Sequence, residues 1–159
     1  MTRKMVFLTG MVGLMAFSGS VVAGDEAAIE QLLKAKESAW SAADGAGWAR
    51  DYQEDSVVVN LAGSRLEGRD ENAQRHDSVF AGPFAGTELD LSVEHIEMLG
   101  DDRALAVAKL AVSNIESMPE GLPDGGDGIL HTRMSFLLEQ DADAGWQIRF
   151  AQNTAVSPY

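Results

Sequence analysis

The last strand-like segment of the chain reads Gly145-Trp146-Gln147-Ile148-Arg149-Phe150-Ala151-Gln152-Asn153-Thr154. Large apolar side chains occupy every second position from 146 to 150, which is the period of a half-buried β-strand. The alternation ends at Gln152, whose amide needs a hydrogen-bond partner if it is buried. The pattern predicts a strand that gives an apolar pocket a polar floor, with Gln152 facing the pocket. A β-bulge would transfer that position to Asn153.

The start of the predicted mature chain has a different period. Apolar residues from 25 to 43, including Trp40, recur at the spacing of an amphipathic helix. Gly, Asp and Pro mark the later element boundaries. The predicted helices lie at 25–43, in a short segment that carries Trp48 and Tyr52, and at 69–80. The predicted strands lie at 57–59, 65–68, 88–98, 104–116, 130–140 and 146–154.

Helices that precede most of the strands are typical of the α+β class. We expect three N-terminal helices packed on the concave face of a curved antiparallel or mixed sheet. No internal repeat or interdomain linker is visible, so residues 24–159 are predicted to form a single domain.

The first 23 residues have the features of a secretory signal peptide. Arg3 and Lys4 precede a short apolar segment at 5–17, and Val21-Val22-Ala23 supplies small residues for cleavage after Ala23. The apolar segment is shorter than the roughly 20 residues that a membrane-spanning helix needs. We therefore expect a periplasmic or secreted protein that has no membrane contact after processing. The chain contains no cysteine, so a disulfide is excluded.

Charge and motifs exclude several kinds of partner. The chain has 25 acidic and 12 basic residues and a net charge of −13, whereas nucleic-acid binding requires a basic surface. Its three histidines have no metal-ligand spacing, and the Gly-rich segment 124–128 lacks the ligand pattern of a calcium loop. No Gly-x-Gly-x-x-Gly motif is present to bind a dinucleotide. We expect no metal, no cofactor and no nucleic acid.

Several short segments together suggest a known superfamily. They are Ala39-Trp40-Ser41-Ala42-Ala43-Asp44, Tyr52-Gln53-Glu54-Asp55-Ser56-Val57-Val58-Val59-Asn60, Gly68-Arg69-Asp70-Glu71, Val79-Phe80-Ala81-Gly82-Pro83-Phe84, Gly145-Trp146-Gln147-Ile148 and Gln152-Asn153-Thr154. With them the chain resembles the nuclear-transport-factor-2-like (NTF2-like) superfamily, its SnoaL-like members, and most closely the SgcJ/EcaC-type branch. The resemblance implies a cone-shaped, cystatin-like fold. It leaves function open, because the superfamily includes isomerases, cyclases, dehydratases, binding modules and dimerisation domains.

Two side chains are candidates for proton transfer. In ketosteroid isomerase-like proteins a carboxylate inside the cone removes a proton next to a carbonyl, and the resemblance makes Asp55 the candidate here. The alternative is that Asp55 braces backbone amides between a helix and a strand. His76 lies four residues before Phe80, so both share one helix face. If that face lines the cavity, His76 is an acid or base near neutral pH.

The other candidates are predicted to bind a ligand. An apolar and aromatic wall suits a flat hydrophobic molecule; its candidates are Trp40, Tyr52, Phe80, Phe84 and Trp146. The polar candidates are Asn60, Gln152 and Arg133. Arg133 shares one strand face with His131 and Ser135, and would hold a carboxylate or enolate if that face is the inner one. The alternative is that Thr132, Met134 and Phe136 face inward as core.

Three functions are consistent with these patterns. The first is an exported domain that binds a small apolar or aromatic molecule without a cofactor. The second is a cofactor-independent isomerase, cyclase or dehydratase that uses a pocket carboxylate or histidine. The third is a dimeric interaction module. A homodimer is expected in any case, because helices cover only one face of the predicted sheet.

Overall fold

The computed structural model describes residues 18–123 and 126–156, with side chains from residue 23 onward. The first 17 residues of the predicted signal peptide lie outside the described residues, so cleavage stays a prediction. The described helices are α1 (Ser18–Ser41), α2 (Gly45–Ala49) and α3 (Gly68–Phe80). The strands are β1 (Tyr52–Val59), β2 (Arg65–Glu67), β3 (Glu88–Met98), β4 (Arg103–Ser113), β5 (Leu130–Asp141) and β6 (Gly145–Ala155). No described helix is both long and apolar enough to cross a membrane.

The six strands form one mixed sheet in the order β2-β1-β6-β5-β4-β3. Strands β1 and β6 pair in parallel, and every other neighbouring pair is antiparallel. Helix α1 packs against β3, and α3 packs against β1 and α2. The predicted α+β class, with three helices on one face of a curved sheet, is confirmed.

The buried face of α1 explains how it docks on the sheet. Ile29, Leu33, Lys36 and Trp40 are buried at intervals of three or four residues, which places them on one side of a helix. The helix begins at Ser18, seven residues before the predicted start, and ends at Ser41. Asp44 then caps α2, because its carboxylate accepts a hydrogen bond from Gly47 N at 2.9 Å.

The prediction that Tyr52 belongs to the second helix is wrong. Helix α2 ends at Ala49, and Tyr52 is the first residue of β1, which begins five residues earlier than predicted. The residues Gln53-Glu54-Asp55 have low strand propensity, so the local sequence does not indicate a strand there. Pairing with β6, where Tyr52 lies opposite Ile148, overrides that local preference.

A β-bulge changes which side chains of β6 face the helices. Ile148 and Phe150 lie opposite consecutive residues of β5, so Arg149 is an extra residue in the strand. The alternation shifts by one position after the bulge. As a result Ala151 is fully buried and Asn153 turns inward, whereas Gln152 is exposed.

The turn into α3 requires a glycine. Gly68 has a φ of 86°, and a Cβ at this position would lie 2.7 Å from the carbonyl oxygen of Glu54 on β1. Both the positive φ and this close approach exclude other residues without local strain. The turn brings α3 against β1, and α3 carries the histidine of the site described below.

Candidate ligand-binding cavity

A cavity of about 280 Å³ lies between the three helices and the sheet. Its floor consists of side chains from β4, β5 and β6, namely Leu110, Val112, Leu130, Thr132, Met134 and Asn153. The helices contribute Trp40, Trp48, Arg75, His76 and Val79. We call the exposed part of the lining the mouth, which consists of Ala62, Arg75, Pro83 and Glu120. The lining is mostly apolar with a few polar groups, as is usual for small-molecule sites.

Trp40 is the centre of the aromatic wall. Its ring lies edge-on to Trp48, Phe80 and Phe84, with centroids 5.6, 5.1 and 6.1 Å away. Its indole Nε1 donates a hydrogen bond to Thr87 Oγ1 at 3.0 Å, so the ring has little rotational freedom. Trp40 and Phe84 line the cavity, as the sequence predicts. Phe80 contacts Trp40 but lies outside the lining.

His76 lies on the cavity wall and is held in one orientation. Its Nδ1 lies 2.9 Å from the carbonyl oxygen of Asn72, and its ring stacks on Trp48 with centroids 4.5 Å apart. A carbonyl oxygen can only accept, so Nδ1 carries the proton and Nε2 keeps its lone pair. Burial lowers the pKa of His76 to about 4. The histidine is therefore neutral at pH 7.

This pKa predicts an acid-dependent loss of stability. Between about pH 6.5 and pH 4 the unfolded chain binds a proton at His76 that the folded chain does not bind, so stability falls as the pH falls. Compared with His76→Gln, the wild type should lose about 2 to 3 kcal/mol more over this window, at about 1.4 kcal/mol per pKa unit. Denaturant unfolding of both proteins at about pH 7 and pH 4 measures the difference. Parallel losses in the two proteins would contradict it.

The cavity contains buried polar atoms that lack partners in the described structure. They are Thr132 Oγ1, Asn153 Oδ1 and Trp48 Nε1. Register places Thr132 opposite Ala155 and Met134 opposite Asn153, so Thr132 and Asn153 are diagonal neighbours on the floor. Leaving such a group unpaired costs about 1 to 3 kcal/mol. These atoms are therefore available to pair with a bound molecule.

The predicted orientation of Gln152 is wrong. Gln152 is exposed, because the bulge at Arg149 reverses the alternation before this residue is reached. Asn153 takes the inward position, which is the alternative that the sequence left open.

Asp55 and Arg133 also lie away from the cavity, contrary to prediction. The Asp55 side chain is 77% exposed and pairs with Arg149. The hydrogen bond from Arg149 lowers the pKa of Asp55 below its ordinary value, which makes it a poor base. Arg133 lies on the outer sheet face, where its Nε donates to Glu94 Oε2 at 2.7 Å. The inner face of β5 carries Thr132, Met134 and Phe136 instead.

No protein-family model matches the chain, and no curated protein matches it. Solved structures do match. A domain with a cystatin-like fold from Nostoc punctiforme is 24% identical, with a TM-score of 0.70 over 85% of this chain and 79% of that one. An NTF-2-like protein from Shewanella oneidensis is 21% identical, with a TM-score of 0.65 over 81% and 98%.

The chain has the NTF2-like fold. A putative scytalone dehydratase from Novosphingobium aromaticivorans has this fold too, at 16% identity and a TM-score of 0.70 over 87% of this chain and 88% of that one. At such identities the likeness shows the fold alone.

Of three further predicted ligand-binding residues, Tyr52 and Trp146 lie away from the cavity of the NTF2-like fold, and Asn60 lines it. Tyr52 is fully buried in the core and lies outside the cavity lining. Trp146 is buried as well, and its Nε1 donates to Asp25 Oδ1 at 3.2 Å. Asn60 lines the cavity, but its Oδ1 accepts hydrogen bonds from Ala62 N and Ser64 N at 3.0 and 2.9 Å. Only the Asn60 amide nitrogen is therefore available to a ligand.

A buried lysine beneath the cavity wall was not predicted from the sequence. Lys36 Nζ donates to Trp48 O at 2.9 Å and to Asp51 Oδ2 at 3.1 Å, and lies 5.1 Å from the centroid of the Tyr52 ring. Burial lowers the pKa of Lys36, and the nearby Asp51 carboxylate partly opposes this. Lys36 thus anchors α2, which carries the cavity residue Trp48. The sequence does contain an indication that Lys36 is buried. It lies on the apolar face of α1, three residues after Leu33 and four before Trp40.

Proposed function

We propose that the chain binds a small apolar or aromatic molecule in the cavity of its NTF2-like fold, without a cofactor. The observation that carries the proposal is the combination of an aromatic wall with unpaired polar atoms on the floor. Trp40, Trp48 and Phe84 offer flat apolar surface, while Asn153 Oδ1 and Thr132 Oγ1 offer hydrogen bonds. Apolar burial supplies affinity in such a site, and a few polar groups set the orientation.

The Asn153 floor position provides a direct test. N-phenyl-1-naphthylamine is a neutral aromatic probe with one N–H donor, and we expect it to bind the wild type with its N–H directed at Asn153 Oδ1. Asn153→Leu should weaken binding about fivefold to 150-fold, which corresponds to about 1 to 3 kcal/mol for a buried polar group left unpaired. Fluorescence titration measures the dissociation constants.

Gln152→Leu is the matched control, because it makes the same kind of change on the adjacent, exposed residue. It should leave probe affinity within about twofold of the wild type, a change under about 0.5 kcal/mol. Equal effects of the two substitutions would show that Asn153 does not contact the probe. Failure of the folded wild type to bind the probe would count against the binding function itself.

A second candidate function is proton transfer by His76 in a cofactor-independent isomerase, cyclase or dehydratase. Its support is the free Nε2 lone pair of a neutral histidine on an apolar wall. A pKa of about 4 makes this histidine a weak base, which favours simple binding. An enzyme of this kind would accelerate deuterium exchange at the α-carbon of 2-tetralone and lose that acceleration in His76→Gln. An exchange rate equal to that in buffer would dismiss this candidate.

Export, self-association and branch membership belong to the same proposal. Cleavage after Ala23, a periplasmic or secreted location and the SgcJ/EcaC-type resemblance are supported by the sequence patterns described above. Self-association is supported by the outer sheet face, which no described helix covers. The intact mass of the exported product tests the cleavage site, and sedimentation at micromolar concentration tests the homodimer.

A further inference from the structure

Most basic side chains in the described part of this acidic chain form ion pairs. Among the described residues, seven of them form ion pairs with carboxylates: Lys34, Lys36, Arg50, Arg65, Arg103, Arg133 and Arg149. Arg69 donates to the carbonyl oxygen of Tyr52 at 2.6 Å. Within the described part of the chain, only Arg75 and Lys109 have neither an ion pair nor a hydrogen bond from their side chains.

These two cations lie on opposite sides of the molecule. Lys109 is exposed on β4 between the buried residues Ala108 and Leu110, so it faces away from the helices. Arg75 lies on α3 directly before His76 and forms part of the cavity mouth. Arg75 is therefore the single unpaired cation that the described residues present to the cavity.

Carboxylates close to Arg75 do not neutralise it. Glu71 lies four residues earlier on α3, at the spacing that favours an ion pair, but its Oε2 accepts a hydrogen bond from Glu67 N at 2.7 Å instead. Glu120 is at the mouth as well and forms no ion pair with Arg75. All N–H donors of the Arg75 guanidinium are therefore free to bind another partner, in a chain that has 25 acidic and 12 basic residues.

We propose that Arg75 binds the anionic group of the ligand, so that the ligand class is an aromatic or alicyclic anion with its apolar body in the cavity. This inference rests on the proposed function. A guanidinium presents a planar fork of donors that matches a carboxylate, sulfonate or phosphate. A net charge of −13 repels such anions from most of the surface, so a local cation is needed to admit one. The Glu120 carboxylate repels an anion, so we expect the anionic group on the Arg75 side of the mouth.

Two probes that share one aromatic body test the proposal. 8-Anilinonaphthalene-1-sulfonate is N-phenyl-1-naphthylamine with an added sulfonate, so the two probes differ by one anionic group. Arg75→Gln should weaken binding of the sulfonate about tenfold, the effect of about 1.4 kcal/mol, and leave the neutral probe within about twofold. Arg75→Lys should retain most of the sulfonate affinity. Lys109→Gln is the matched control and should change neither probe.

The outcomes separate this inference from the function on which it rests. If the neutral probe binds and Arg75→Gln leaves the sulfonate affinity unchanged, the role of Arg75 is refuted while the binding function stands. If neither probe binds the folded wild type, the binding function falls. Displacement of the neutral probe by 2-naphthoate or by 2-naphthyl phosphate then identifies the preferred anion, and a preference for uncharged 2-naphthol over both would overturn the proposal.

Discussion

Trp40→Ala is expected to lower the free energy of unfolding by about 3 to 5 kcal/mol, the usual cost of truncating a large core aromatic residue. Trp40 packs edge-on against Trp48, Phe80 and Phe84, and its indole nitrogen donates to Thr87. Its removal joins a new void to an existing cavity and leaves the buried Thr87 hydroxyl without a donor. Urea unfolding, monitored by far-ultraviolet circular dichroism, measures the loss.

Two further variants make this result specific to the site. Trp40→Phe keeps an aromatic ring but removes the indole donor, so its stability should lie between those of the wild type and Trp40→Ala. Leu99→Ala truncates an apolar side chain that is 52% exposed and should cost less than about 0.5 kcal/mol. If the unfolding midpoint of Trp40→Ala equals that of Leu99→Ala, Trp40 does not stabilise the core as proposed.

The second large effect is expected for Asp51→Ala, which leaves the Lys36 ammonium buried without its carboxylate. Removing one partner of a buried ion pair costs about 3 to 5 kcal/mol. Because Asp51 is 20% exposed and Lys36 also donates to Trp48 O, we expect about 2 to 3 kcal/mol here. Urea unfolding at neutral pH measures this loss.

The controls use the same carboxylate and the same lysine. Arg50→Ala removes the exposed partner of Asp51 and should cost less than about 1 kcal/mol. Lys36→Met combined with Asp51→Ala should be more stable than Asp51→Ala alone, since no charge then remains buried. Lower stability of the double variant would show that the lysine ammonium is not the source of the cost.

The pH dependence of Asp51→Ala gives an independent check. Burial lowers the pKa of Lys36 in the folded chain from the ordinary 10.5, so above the folded-state pKa the unfolded chain binds the proton more strongly. The free energy of unfolding therefore rises with pH in the window between the two values. Asp51→Ala should recover part of its lost stability as the pH rises toward 10.5, whereas the double variant should lack this recovery.

Several side chains show why the site was only partly predictable. Trp40, Phe84 and His76 reach the cavity because helical spacing and the turn after α3 determine their direction locally. A strand pattern does not say which of its two faces is the inner one. The sequence therefore left both faces of β5 open, and the structure places Arg133 on the exposed one. Asp55 was assigned by resemblance, but in this chain it pairs with Arg149, a residue 94 positions away.

Local patterning determines the element order, the α+β class and most helix and strand positions, because these depend on interactions between residues a few positions apart. Tertiary pairing decides the rest. The β1 strand forms at Tyr52 because β6 is its neighbour, and Asn153 replaces Gln152 on the floor because register with β5 makes Arg149 an extra residue. Lys36 is acceptable in the core only because folding brings Asp51 and Trp48 O to its ammonium group. These features depend on free energies of contact between distant segments, which no local period in the sequence encodes.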